Sequence, residues 1–184
     1  MKKILSLVFS LTAISAVCAG VLAYVNSVTE GPIRATKEKN VLRAAGEVMP
    51  EAVVQSTVEA VAWADGAKTV PVAFAGRDAA GAVAGYAVKG ADSGGYGGDI
   101  ELMVGLAPDR RTVVRYKTLA AAETPGLGMK LKDPSFSGQF SGKDGSALSV
   151  RKDGGDIDAI TSATITSRAV CKAIADACAR AASL

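Results

Sequence analysis

Five hydroxyl side chains crowd into one ten-residue stretch, Asp158–Ser167 (DAITSATITS): Thr161, Ser162, Thr164, Thr166 and Ser167. Ile157 and Ile160 precede or punctuate them. The alanine-rich segment Arg168–Arg180 follows, with Val170, Ile174 and Ala177 at helical spacing. Hydroxyls at a helix start serve two chemistries. Ser167 or Thr166 can act as the N-cap, its side-chain oxygen accepting from an unpaired first-turn amide. The same free amides, with the positive end of the helix dipole, can instead hold a phosphate. Composition leaves both readings open.

Two other stretches hold polar or glycine-rich groups at unusual density. In SGGYGGDI, Ser93–Ile100, Tyr96 and Gly97 sit among glycines. That pattern permits close backbone approach to a flat ligand and equally suits a flexible hairpin end. In ETPGLGMK, Glu123–Lys130, Pro125, Gly126 and Gly128 make a rigid turn around Leu127, with Glu123, Thr124 and Lys130 as polar groups. Taken alone, it is a turn with solvated charges.

Several chemistries are excluded. The chain has no histidine, so Ser–His–Asp and Cys–His nucleophiles and the usual zinc ligand sets are missing. Cys171 and Cys178 lie seven apart on one expected helix, roughly 10 Å along its axis, which is too far for a disulfide. They read as small core residues. No glycine fingerprint leads from a strand into a helix, which argues against a bound nicotinamide. A formal net charge of +3, without a basic stripe interleaved with aromatics, argues against nucleic acid. Binding chemistry is what remains.

The elements that must position these groups fit one domain and one membrane segment in 184 residues. Lys3 is the last charge before Glu30, and ILSLVFSLTAISAVCAGVLAYV in between is almost wholly apolar. About 20 apolar residues span a bilayer as a helix. The run exceeds the roughly 7–15-residue core of a cleaved leader, which favours a retained anchor over cleavage near Val17-Cys18-Ala19. Lys2 and Lys3 favour an inside N-terminus, although Arg34, Lys37, Lys39 and Arg43 follow the span. Long domains cross largely regardless of charge, so the domain is expected outside the cytoplasm.

The expected organisation is an anchor at 1–28, a helical stalk or edge helix at 29–50, and a domain at 51–184. Ile33, Val41 and Leu42 give the stalk one weak apolar stripe, and Pro50 closes it. Strands are expected at Val70–Phe74, Ala82–Val88, Ile100–Leu106, Thr112–Leu119 and Ala147–Arg151. Ile100, Leu102, Val104 and Leu106 alternate with Glu101, Met103 and Gly105. Val114, Tyr116 and Thr118 oppose Arg115 and Lys117, giving a sheet with one wet face. Pro108-Asp109-Arg110 joins Ile100–Leu106 to Thr112–Leu119 as a hairpin. Consecutive strands with helices at both ends make an α+β fold with a mainly antiparallel sheet.

DAITSAT resembles the flavinylation motif of the FMN-binding domain family: an aspartate, two variable residues, Ser or Thr, a small residue, then Ala-Thr. Ser162 stands where that family usually has glycine. In the family, a separate flavin transferase uses FAD to attach FMN through its phosphate to the motif threonine, which implies covalent FMN on Thr164. A GYGG-type loop, a hairpin, ETPGLG and the threonine motif, in that order after one membrane helix, is similar to the G-type subunit of the Rnf electron-transport complex. That likeness covers nearly the whole chain. ETPGLG is shared with the C-type subunit of the sodium-pumping NADH:quinone reductase, but the GYGG loop and the short length lean towards Rnf. Relatives often carry a histidine shortly before ETPGLG; Ala121 and Ala122 stand there.

The resemblance implies a single-pass flavoprotein of the inner membrane, its domain outside the cytoplasm. It would relay electrons in a complex that couples ferredoxin–NAD electron flow to Na⁺ or H⁺ movement. Its partners would be the other Rnf subunits and, during maturation, the flavin transferase. Ser162, Ala163, Ile165 and Thr166 would flank the attached cofactor. Glu123 and Thr124 would bond the ring edge, Leu127 would pack on its face, and Gly126 and Gly128 would let the backbone approach. Lys130 would stabilise a reduced, anionic flavin, and Tyr96 and Gly97 would complete the site. No catalytic residue or metal ligand of the chain's own is expected. The alternatives are the corresponding quinone-reductase subunit and a flavin-free anchored assembly module.

Overall fold

A computed structural model describes residues 2–49, 59–61 and 72–184, and the chain divides into two units, Met1–Lys39 and Asn40–Leu184. Helix α1, Lys2–Val48, begins in the first and ends in the second. Its N-terminal part is long and apolar enough to cross a membrane, and none of its most apolar window is buried. Leu7, Phe9, Leu11, Ile14 and Leu22 are all exposed. A continuous row of large apolar side chains of this length matches a lipid surrounding.

The expected stalk is the continuation of this helix, and Pro50 lies outside the described residues. From Asn40 onward the helix packs as part of the domain. Val41, Ala44, Ala45, Val48 and Met49 are buried with Phe74, Ala87 and Met103. The expected stripe is corrected here, because Ile33 and Leu42 are exposed. Positions 41, 44, 45 and 48 follow the one-face helical spacing, whereas 42 falls off it.

Among the described residues, five strands form one antiparallel sheet in sequence order: β1 (Glu59–Val61), β2 (Ala73–Arg77), β3 (Val83–Gly95), β4 (Gly98–Leu106) and β5 (Val113–Ala121). Strand β1 adds to the expected set, and β2 starts later than its expected bounds, of which 70 and 71 lie outside the described residues. Strand β3 runs well past Val88, so SGGYGGDI becomes the end of the β3–β4 hairpin. Gly95 pairs with Gly98, and Tyr96-Gly97 forms the tip. The Asp109 turn joins β4 to β5, its carboxylate accepting from the Arg111 and Thr112 amides at 3.0 and 2.9 Å.

One face of the sheet buries Ile100, Leu102, Val104 and Leu106 beneath Val170, Ile174 and Ala177 of the C-terminal helix, Thr164–Ala182. The other face is not simply wet. The end of α1 covers Phe74, Ala87 and Met103. Gly105 permits this, since a Cβ there would overlap the Val48 carbonyl. A register shift between Gly105 and Leu106 puts Val113, rather than Val114, fully inside.

Ala147–Arg151 is not a strand. Two 3₁₀ turns, Gly145–Ala147 and Arg151–Asp153, flank Val150, which keeps a single parallel bridge to Ile157. Asp144 accepts from the Ser146 amide at 2.9 Å and curls the chain, and Gly154 at φ 86° turns it back. Local side-chain bonds here outcompete a ladder. Between β5 and this segment, a 3₁₀ turn (Gly128–Lys132) and short helix α2 (Pro134–Ser137) carry Leu131 and Phe136 into the core. The Tyr116 hydroxyl donates to the Leu131 carbonyl at 2.5 Å. The C-terminal helix, Thr164–Ala182, is α3.

Candidate functional site

Three segments distant in sequence meet at the N-terminal end of α3: the Tyr96-Gly97 hairpin tip, the turn after β5, and the loop 158–163. They enclose a cavity of about 570 Å³, within the range of small-molecule sites. Tyr96 comes from the tip, Glu123, Thr124, Leu127 and Gly128 from the turn, and Ser162, Ala163, Thr164, Ile165 and Thr166 from the loop and helix. Among the described residues beyond α1, the exposed large apolar side chains are Tyr96, Leu127 and Ile165. All three line this cavity.

Local chemistry sets each segment. Pro125 and Gly126 (φ 75°) bend the turn, and the Thr124 carbonyl accepts from the amides of Leu127 and Met129, each at 3.2 Å. The loop 158–163 closes with the Ala163 amide donating to the Ile160 carbonyl at 2.9 Å, and Ser162 adopts φ 62°. That is the left-handed region, where glycine is the comfortable residue. Helix α3 starts at Thr164, earlier than its expected first residue, with Ala163 in the cap position and no side-chain cap.

The expected caps therefore do other work. The Ser167 hydroxyl donates to the Ala163 carbonyl and accepts from the Ile160 amide, both at 2.9 Å. The Thr166 hydroxyl donates to Glu123 Oε2 at 2.9 Å. With no cap in place, the amides of Thr164, Ile165 and Thr166 donate to no described residue. Thr164 is half-buried, and its hydroxyl makes no hydrogen bond among the described residues. A free hydroxyl beside three free amides at a helix N-terminus is chemistry suited to a phosphate.

Of the thirteen expected site residues, ten line the cavity. Gly97 lies behind it, its amide donating to Glu123 Oε1 at 3.3 Å, and Gly126 sits at the outer bend. Lys130 points elsewhere, lining an adjacent groove of about 260 Å³ with Asp133, Gln139, Asp158 and Thr161. The loop 158–163 thus forms a wall between two concavities. Asp158 is fixed there by Gln139, which bonds both its amide and its carbonyl, and by Arg151 at 2.6 Å. That guanidinium hydrogen bond holds the Asp158 carboxyl below the usual carboxylate range. Ser167 and Gly95 join the assembly without having been expected in it. For Gly95 a signal exists in the doubled glycines before Tyr96.

Known proteins share this stretch of sequence. An FMN-binding domain matches residues 95–179, from the hairpin tip to the last turns of α3. Over 94% of this chain and 92% of the relative, the sequence is 32% identical to the G subunit of an ion-translocating oxidoreductase complex from Methanosarcina acetivorans. The chain belongs to this G-subunit family. A second member, the G subunit of the Na(+)-translocating ferredoxin:NAD(+) oxidoreductase complex of Acetobacterium woodii, is 33% identical over 92% of this chain and 87% of its own length. Among solved structures, NqrC of Shewanella oneidensis is similar with a TM-score of 0.48 and 24% identity, covering 72% of this chain and 65% of that one. The G-subunit family member described here therefore carries an FMN-binding domain and, among the described residues, one helix of membrane-spanning length.

Proposed function

We propose that this chain is the membrane-anchored flavin relay of an ion-translocating ferredoxin:NAD oxidoreductase complex, with FMN joined through its phosphate to Thr164. The observation that carries this reading is the place of Thr164, an unpartnered hydroxyl among unpartnered first-turn amides. It lines a cavity whose other walls include three otherwise solvent-facing apolar side chains. Flavin supplies redox chemistry that this chain's side chains lack, and the protein positions it.

The residues fit the group. The amides of Thr164, Ile165 and Thr166 would hold its phosphate, and Leu127, Ile165 and Tyr96 would shield its apolar ring surface from water. Thr124 remains at the cavity edge as a polar contact for the ring. Attachment is a phosphoryl transfer from FAD. Thr164 would supply the oxygen for the new P–O bond and give up its proton, with the pyrophosphate P–O bond of FAD broken and AMP as the leaving group. A tether replaces a dilute free cofactor with a high effective concentration. In this reading the domain lies on the outer side of the inner membrane, with other proteins of the complex as electron donor and acceptor and a flavin transferase as maturation partner.

Co-expression with a flavin transferase tests the assignment. Intact-mass measurement should show one added FMN less water, mapped by peptide sequencing to Thr164. Unmodified protein under those conditions, or a modification on Thr161 or Thr166, would overturn it.

A further inference from the structure

Glu123 is the one buried charged residue among the described residues, at 6% exposure. No described lysine or arginine pairs with it. A carboxylate buried without a countercharge is costly unless hydrogen bonds compensate. Here two donors do so, and each comes from a remote segment. Gly97 N–H reaches Oε1 at 3.3 Å across 26 residues of chain, and the Thr166 hydroxyl reaches Oε2 at 2.9 Å across 43. Room for the carboxylate is left on both sides. A Cβ at Gly95 would come within 2.9 Å of Oε1, and one at Gly128 would overlap Oε2.

We propose that Glu123 is a positioning residue: its carboxylate latches the hairpin tip and the first turn of α3 onto the Glu123–Gly128 turn, so that the cavity is formed before any cofactor arrives. This rests on the flavin reading above and deepens it. Both oxygens are already engaged within the protein, so the role at the ring edge falls to Thr124. One glycine of each loop acquires a shared reason: Gly95 and Gly128 each leave space for one oxygen of the Glu123 carboxylate.

The test is made on the flavin-free chain and, separately, on loading. Glu123→Ala should speed amide exchange at Gly97 by roughly ten- to a hundredfold, the range for losing a hydrogen bond to a charged group. Transferase-dependent loading should fall with it. Glu123→Gln should keep both within about threefold of wild type, because its carbonyl can accept from Gly97 and its amide can donate to the Thr166 oxygen. Thr166→Val should loosen the same Gly97 amide, and combined with Glu123→Ala it should add nothing further. Should Glu123→Ala not fold, Thr166→Val and Glu123→Gln carry the comparison. Wild-type exchange at Gly97 in Glu123→Ala or Thr166→Val, or a Glu123→Gln chain as loose as Glu123→Ala, would overturn the latch. A wild type that never acquires flavin would sink the functional reading and leave the exchange result standing.

Discussion

The backbone amide of Ile160 donates to the side-chain oxygen of Ser167, which itself donates to the Ala163 carbonyl. Both residues are buried, so one hydroxyl fastens the loop carrying the motif to the helix that follows it. Ser167→Ala removes that fastening and leaves a buried amide without an acceptor, a loss of about 1–3 kcal/mol. Urea denaturation of the flavin-free chain should show it as a lower midpoint. An unchanged midpoint would mean that the loop is held by other contacts.

Ser162 is the second lever on the same loop. A non-glycine residue in the left-handed region carries a cost of roughly 1–2 kcal/mol. Ser162→Gly relieves it while adding backbone freedom to the unfolded chain. The net expectation is a gain of up to about 1 kcal/mol in denaturation experiments, with flavin loading retained. A lower stability would show that the Ser162 side chain contributes contacts that outweigh the strain.

Helix α3 approaches the sheet closely at Gly90, where a Cβ would overlap the Ala173 carbonyl. Backbone cannot move aside as a flexible side chain can. Gly90→Ala should therefore destabilise the domain by about 1–3 kcal/mol, the usual scale of overpacking. Because α3 carries Thr164 at its start, flavin loading should fall as well. Calorimetry paired with loading yield would check both effects.

Cys171 and Cys178 are buried on α3, and burial pushes both thiols up from 9.0 to about 11. Their raised folded values mean that the neutral thiols are favoured in the native state. The associated stability is full below pH 9 and is lost as the pH rises from 9 towards 11. Urea midpoints should decline across that window, and the decline should flatten in a Cys171→Ala, Cys178→Ala chain. At pH 8 a disulfide reagent should label the two native thiols at least about tenfold more slowly than the unfolded ones.

Much of this architecture is written in local patterns. Alternation across Ile100–Leu106 marks a strand because its even positions are buried, the Asp109 turn marks itself through its own hydrogen bonds, and the apolar N-terminal run marks a helix by its length and composition. The sheet's second face is harder to read. The α1 residues that cover it include Ala44 and Ala45, too small to stand out as a stripe. Ala147–Arg151 looks β-prone, yet Asp144 and Gly154 decide its path through local bonds and chain reversal. At the site, ETPGLG, GYGG and DAITSAT each mark a segment that reaches the cavity region. Their joining through Glu123, Gly97 and Thr166 is illegible in the sequence, since it is a contact across 26 and 43 residues. Lys130 turns away because the 3₁₀ turn beginning at Gly128 rotates it into the neighbouring groove.

The most direct measurement is flavin fluorescence in a denaturing gel, comparing wild type with Thr164→Ala, each produced with a flavin transferase. A fluorescent band that survives denaturation in wild type and disappears in the variant is the expected result. Equal fluorescence in both, or none in wild type, would contradict covalent FMN at Thr164 and the relay built on it.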